Sequence, residues 1–299
     1  MIVVTGANGN LGRRLLQSLS GRAPLRAVVR SERAAEQIRA LTLEPEPEIC
    51  VVDYQDAAAM TGALAGAEYV VHLVGIIKET AASTYVDAHE RTSEVLCQAA
   101  DSAGALRIVY LSIVGSEPGS SNPCLASKGA AEAILLAAAT PALVVRVPMV
   151  LGEGDYAAGA LARRARKGWN VLLRGASLEQ PIYAGDVIEA VKAGLGSAPA
   201  PAALDDAVLD LAGPVSLSRS DLTRRSASIL GRSTRVISLP LFLGLLLAGL
   251  LERLLANPPV TAAMLRVLDH DDRLDPEPAC HVLGIELTPL DEVLARCLR

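Results

Sequence analysis

A chain of 299 residues that is 51% apolar, 20% charged and only 3% aromatic is long enough to bury a large core and too apolar to stay disordered. Its formal net charge of −5, with a pI near 5.5, supplies no basic field for a phosphate backbone, so nucleic-acid binding is not expected. The five cysteines are odd in number with no CxxC pair, and the four histidines lack metal-ligand spacing. They are read as reduced thiols of a cytoplasmic protein with no metal site.

The chain opens directly on a strand, Ile2–Thr5, with no charged leader. The strand runs into "TGANGNLG" and then a helical pattern. In Gly6, Ala7, Asn8, Gly9, Asn10, Leu11 and Gly12 the first glycine permits a tight turn, the second lets a pyrophosphate approach the backbone, and the third lets helix and strand pack closely. The helix N-terminus then offers amide donors and a positive dipole to phosphate. This strand–turn–helix context points to a dinucleotide.

The second predicted strand, Leu25–Arg30, ends on a cation where an NAD site would place an acid to accept from the ribose. Arg30 cannot accept those protons but can grip a 2′-phosphate, which favours NADP(H) while leaving NAD(H) open. The third strand, Glu48–Val52, runs into Asp53 and Tyr54. Asp53 could accept from an adenine amino group or cap the next helix. The fourth, Tyr69–Val74, ends in "HLVG", where Leu73, Val74 and Gly75 bring backbone to the cofactor and His72 is read as a core residue. Arg107–Ser112 and Ala142–Val147 complete the set of predicted buried strands.

Apolar strands alternating with helical stretches predict an α/β fold with a doubly wound parallel sheet of the Rossmann type. After about Leu151 the pattern loosens, and 197–207 reads as a surface loop. Residues 1–150 are therefore expected to form the NAD(P)-binding domain, with 151–299 a smaller C-terminal α/β lobe interleaved with it. Arg163, Arg164, Arg166 and Lys167 cluster in that lobe, as a solvated helix face or a contact for an anionic substrate or lipid headgroup. Thirteen uncharged residues, Leu239–Leu251, are too few to span a bilayer. The 239–256 helix is left as lobe packing, a protein-docking element or a peripheral contact at the inner face of a membrane.

Taken in order, "TGANGNLG", "HLVG", "CLASK", "RVPMVLG" and "QPIYAGDV" resemble the extended and atypical short-chain dehydrogenase/reductases, including the epimerase/dehydratase-like group, over essentially the whole chain. "QPIYAGDV", "LPLF" and "LGIELTPLDEVL" further resemble the NADPH-binding accessory subunit of respiratory complex I and its bacterial relatives. The resemblance implies a tyrosine as general acid/base, a lysine four residues later that tunes it and holds the nicotinamide ribose, and a hydroxyl residue that orients substrate. Lys128 matches the lysine, Cys124 stands at the tyrosine position and Val114 at the serine position, while Pro148 matches the proline beside the nicotinamide. Two of three catalytic positions thus depart from the pattern. The expected role is accessory, assembly or regulatory; an oxidoreductase or epimerase using another proton donor, with His89 and Tyr85 as candidates, stays open.

Overall fold

The computed structural model describes residues 1–80, 83–196, 204–255, 258, 260–267 and 271–298. β1 (Ile2–Thr5), β2 (Leu25–Val29), β3 (Glu48–Val51), β4 (Tyr69–His72), β5 (Arg107–Ile113) and β6 (Ala142–Val147) alternate with α1 (Asn10–Leu19), α2 (Glu32–Arg39), α3 (Ala57–Leu64), α4 (Thr92–Ala103) and α5 (Pro123–Leu136). They build a seven-stranded sheet in the order Ala207–Asp210, β6, β5, β4, β1, β2, β3. The registers of β3–β2, β2–β1, β1–β4 and β4–β5 are all parallel. The strand order reverses between β1 and β4, the switch point at which an open α/β sheet leaves a crevice for a ligand. The doubly wound Rossmann architecture expected from the alternation is what the chain forms.

Two features differ from the expected strands. β3 is not buried: Glu48 and Val51 are exposed because the strand closes one edge of the sheet. The opposite edge is Ala207–Asp210, a strand whose side chains alternate between half-buried and exposed. It carries too short an apolar run to announce itself. Of the expected loop at 197–207, residues 197–203 lie outside the described residues, and Leu204 is buried.

The chain divides into two compact units, one of Met1–Arg146, Ile188–Leu209 and Val282–Gly284 and one of Val147–Val187, Asp210–His281 and Ile285–Arg299. Arg107 ties the returning segment into the first unit. Its fully buried guanidinium donates from Nε to Asp205 (3.0 Å) and from Nη1 to the Gly194 carbonyl (2.9 Å). The second unit has its own core, in which α6 (Tyr156–Ala165) packs with α8 (Arg219–Ile229), the helix that follows α7 (Ala184–Leu195) in the chain, and with the C-terminal helix Leu290–Cys297 through Leu161, Leu222 and Leu294. Trp169–Leu173 and Arg235–Leu239 form a parallel ribbon there, followed by α9 (Leu241–Leu254); of the expected 239–256 helix, residue 256 lies outside the described residues. "QPIYAGDV" and "LGIELTPLDEVL" meet in this unit: Thr288 donates from its backbone N–H (2.8 Å) and its hydroxyl (2.7 Å) to Asp186. Gln180 fastens the chain to Gly213 and Leu274.

Candidate functional site

Gly6 leaves β1 with φ +68°, and a Cβ there would come within 2.9 Å of the Leu73 carbonyl carbon. The glycine loop therefore lies directly on the exit of β4, whose Leu73 N–H donates back to Thr5 (3.1 Å). A Cβ on Gly12 would stand 2.5 Å from the Ala7 carbonyl oxygen, so the third glycine lets α1 press on the loop. Gly9 is the N-cap of α1 and has no side chain to satisfy the first-turn amides. α2, α3 and α5 differ, because Ser31, Asp56 and Asn122 cap them with side-chain oxygens. An uncapped N-terminus above two close-packed glycines presents its amides to an anion. Asn8 bonds Gln37 (3.2 Å) and Asn10 accepts from Arg14 (2.9 Å). Leu11 is half-buried. Arg13, beside Gly12, holds a buried Nε without a hydrogen-bond partner, a cation in the first turn of α1 that the motif reading passed over.

A cavity of about 700 Å³ opens in the same unit, lined by Arg30, Ser31, Asp53, Tyr54, Val74 and Arg91 among others. It unites the sequence-predicted residues of β2, β3 and β4 with a one-turn π-helix, Val86–Arg91, that carries an Asp87–Arg91 ion pair. π-turns inside helices recur at functional sites. The i, i+4 charge pair was the only sequence signal for this wall. Asp53 accepts from the Gln55 N–H (3.0 Å), while the helix cap considered for it belongs to Asp56, which accepts from Ala59 (3.0 Å). Tyr54 is a strut: its hydroxyl accepts from the Gly6 N–H and donates to the Val28 carbonyl, both at 2.9 Å. Burial pushes its pKa up to about 12. The Gly6 amide is thus already occupied and is not a phosphate donor.

Lys128 is buried on α5 and turned inward, donating to the Tyr110 hydroxyl (2.9 Å) and the Leu111 carbonyl (3.0 Å). Burial lowers its pKa to about 8. Gly75 makes room for it, since a Cβ there would lie 3.2 Å from Lys128 Nζ and 3.5 Å from His89 Nε2. Tyr110, which no motif singled out, is a fully buried β5 residue stacked on His72 at 5.4 Å. His72 is the core residue expected. Its Nδ1 bonds Thr5 Oγ1 (2.7 Å), Nε2 has no partner, and burial draws its pKa down to about 3.

Cys124 sits in the first turn of α5, behind the Asn122 cap and Pro123, and is 1% exposed. Its Sγ lies 3.8 Å from the Ile76 carbonyl, and burial raises its pKa despite the opposing charge of Lys128. The thiol therefore stays protonated at neutral pH. His89 accepts from the Ile76 N–H at Nε2 (3.1 Å), which places its ring proton on Nδ1, 2.7 Å from Ser127 Oγ. Burial, followed by the nearby Lys128 charge, takes its pKa to about 3. Tyr85 donates to the Ile77 carbonyl (3.0 Å), and its pKa is pushed by burial to about 12. Val114 is buried, with Ser112 bonded to Ser116 beside it on the chain. Pro148 lies just past β6, in the second unit.

Residues 6–167 match the model of the NAD(P)H-binding family. A ceramide reductase of Caulobacter vibrioides (strain NA1000 / CB15N) is 32% identical over 157 residues, 52% of this chain and 48% of that protein. The mitochondrial NADH dehydrogenase [ubiquinone] 1 alpha subcomplex subunit 9 of Arabidopsis thaliana is 28% identical over 197 residues, 64% of this chain and 49% of that protein. The chain spans about half the length of the curated relatives it matches. Among solved structures, an NADPH-dependent quinone oxidoreductase of Escherichia coli complexed with NADPH superposes with a TM-score of 0.73 at 20% identity, covering 99% of each chain. The UDP-glucuronic acid 4-epimerase of Bacillus cereus in complex with UDP-glucuronic acid and NAD superposes with 0.74 at 17% identity, covering 99% of this chain and 96% of that one. The short-chain dehydrogenase/reductase resemblance and its leaning toward the complex I accessory subunit are borne out. With its glycine loop seated on the β1/β4 switch point, the chain belongs to the NAD(P)H-binding family.

Proposed function

We propose that this protein holds NADP(H) and acts by holding it, in an accessory, assembly or regulatory role, rather than by turning it over. The observation that carries the reading is the first turn of α5, where Cys124, the residue that the resemblance puts at the acid/base position, is buried and its thiol pKa is raised by that burial. A thiol lacks the reach of a phenol, and Lys128 is turned inward, giving two of its three ammonium protons to Tyr110 and Leu111. The remaining candidates are poor acids: His89 is neutral with both ring nitrogens engaged, and the Tyr85 proton is held by a carbonyl. The preference for NADP(H) rests on Arg30 and Ser31, two donors that follow β2 directly, the place where a site for an unphosphorylated ribose puts its acid.

The second reading is an oxidoreductase or epimerase with an unconventional proton donor. It is favoured by the relative named a ceramide reductase, whose match covers half of this chain. One set of measurements separates the two. Calorimetric titration is expected to give tighter binding of NADPH than NADH by roughly tenfold or more, as a charge-assisted contact of about 1.5–3 kcal/mol implies, with the difference lost in Arg30→Ala. Equal affinities in the parent protein would refute the phosphate assignment. NADPH oxidation with simple aldehydes, ketones and quinones should stay at the no-enzyme rate, since a positioned general acid contributes about 10²–10⁴. Robust turnover would replace the holding role with the second reading.

A further inference from the structure

We infer that the second unit carries a surface that seats on an anionic lipid bilayer, built from α9 and the outer face of the neighbouring ribbon. α9 is amphipathic in an inverted sense. At 100° per residue, Phe242, Leu243, Leu246, Leu247, Leu250 and Leu254 fall within an arc of roughly 140°. They are exposed, Leu246 by 68% and Leu254 by 70%, whereas Gly244 and Ala248 on the opposite side are buried. A soluble helix ordinarily turns such a stripe inward. The acid that follows the apolar run is turned back on its own chain, Glu252 Oε1 accepting from the Ala262 N–H (2.8 Å). Arg253 stands near the far end of the apolar arc, positioned to extend toward headgroups.

The apolar face extends beyond the helix. Trp169, Val171 and Leu173 share one side of their strand by alternation, and the parallel register sets Arg235, Ile237 and Leu239 beside them. Trp169 (65%), Val171 (47%) and Ile237 (52%) are exposed. A Cβ on Gly244 would overlap Leu173, so the inner side of α9 rests on the end of this same face.

Charge selects the occupant. The ribbon begins among cations: Arg235 pairs in register with Trp169, and its N–H bonds the Gly168 carbonyl (3.0 Å). Lys167 precedes it, and a cleft of about 490 Å³ is lined by Arg163, Arg164, Arg166, Lys167 and the exposed Tyr156. This cationic end stands out in a chain whose net charge is −5. Trp169 beside Arg235, Tyr156 in the cationic cleft and a run of exposed Leu and Phe together make the composition that rests at a headgroup–acyl boundary. The stripe from Phe242 to Leu250 offers no side-chain donor or acceptor with which a protein partner could be held in register, and a bilayer requires none. α9, at 14 residues, is too short to cross, and no helix among the described residues is long and apolar enough to do so.

The test is co-sedimentation of the full chain with vesicles of phosphatidylglycerol and phosphatidylcholine, against vesicles of phosphatidylcholine alone. The expected result is binding to the anionic vesicles that weakens with salt. Leu246→Glu/Leu250→Glu, both solvent-exposed positions, should abolish it while far-UV circular dichroism and amide-exchange protection of α8 and the Leu290–Cys297 helix stay those of the parent, which reports that the second unit still folds. Lys167→Gln/Arg235→Gln should weaken it about fivefold per charge removed. No binding to anionic vesicles, equal binding to both vesicle types, or retention by the Leu double variant would overturn the inference. So would a stable dimer in free solution that Leu246→Glu/Leu250→Glu breaks, because the face would then be covered by a second copy of the chain.

Discussion

Lys128, His72 and His89 place three ionisable side chains in the buried interior of one unit, and their shifts share a sign and a cause. Burial penalises each charged form, taking the two imidazoles to about 3 and the lysine to about 8. In the unfolded chain the histidines bind protons near pH 6.5. Between about pH 6.5 and 3 the unfolded state therefore carries protons that the native state refuses, and stability falls as pH falls. Two such groups cost on the order of 3–4 kcal/mol between pH 7 and 5. Lys128 acts in another window: below pH 8 its charge is carried against burial, so its contribution improves as pH rises from about 8 toward its unfolded value. Urea unfolding at pH 7 and 5 should show the acid loss. In imidazole nitrogen spectra the signals of His72 and His89 should stay those of neutral rings over the same range, and a ring at either position titrating near 6.5 would contradict the burial argument.

At the scale of elements, the three glycines of the loop do separable work. Gly12→Ala drives a methyl into the Ala7 carbonyl, 2.5 Å away, so α1 must shift, at a cost of about 1–3 kcal/mol as for an overpacked core. Gly9→Ala meets only the Gly6 carbonyl oxygen, at 3.2 Å, and should leave stability within about 1 kcal/mol of the parent while weakening NADPH binding, because it narrows the approach of the pyrophosphate. Thermal denaturation and titration of both variants check the split; equal loss of stability in the two would remove it. The six strands β1–β6 were legible because each is a Val/Ile-rich run bounded by turn residues, and the glycine loop because its spacing is local. Other features were not, for a common reason. Lys128–Tyr110 joins α5 to β5 across the core, the cap belongs to Asp56 rather than Asp53 through a difference of three residues, and the Ala207–Asp210 edge depends on a sheet built far earlier in the chain. Periodicity reports which way a side chain faces, not which side chain it meets.

At the scale of the molecule, two compact units with separate hydrophobic cores make the dinucleotide a probe of how far its hold extends. The glycine loop, the cavity with Arg30 and Asp53, and Lys128 all belong to the first unit, whereas Pro148 opens the second. A ligand that binds only the native state adds about 2.7 kcal/mol at a hundredfold excess over its Kd, and amide exchange shows where that protection falls. Saturating NADPH is expected to slow exchange in 6–13, 30–34, 53–56 and 86–92. If Pro148 flanks the nicotinamide as the family resemblance implies, the amides of 147–152 should slow with them, while α8 and the Leu290–Cys297 helix exchange as before. Protection of the first set without 147–152 would remove Pro148 from the site, leaving a dinucleotide held by one unit alone. Protection of α8 to the same degree would show instead that the second core is stabilised as a whole, so that occupancy of the cavity could be read out through the unit that bears α9.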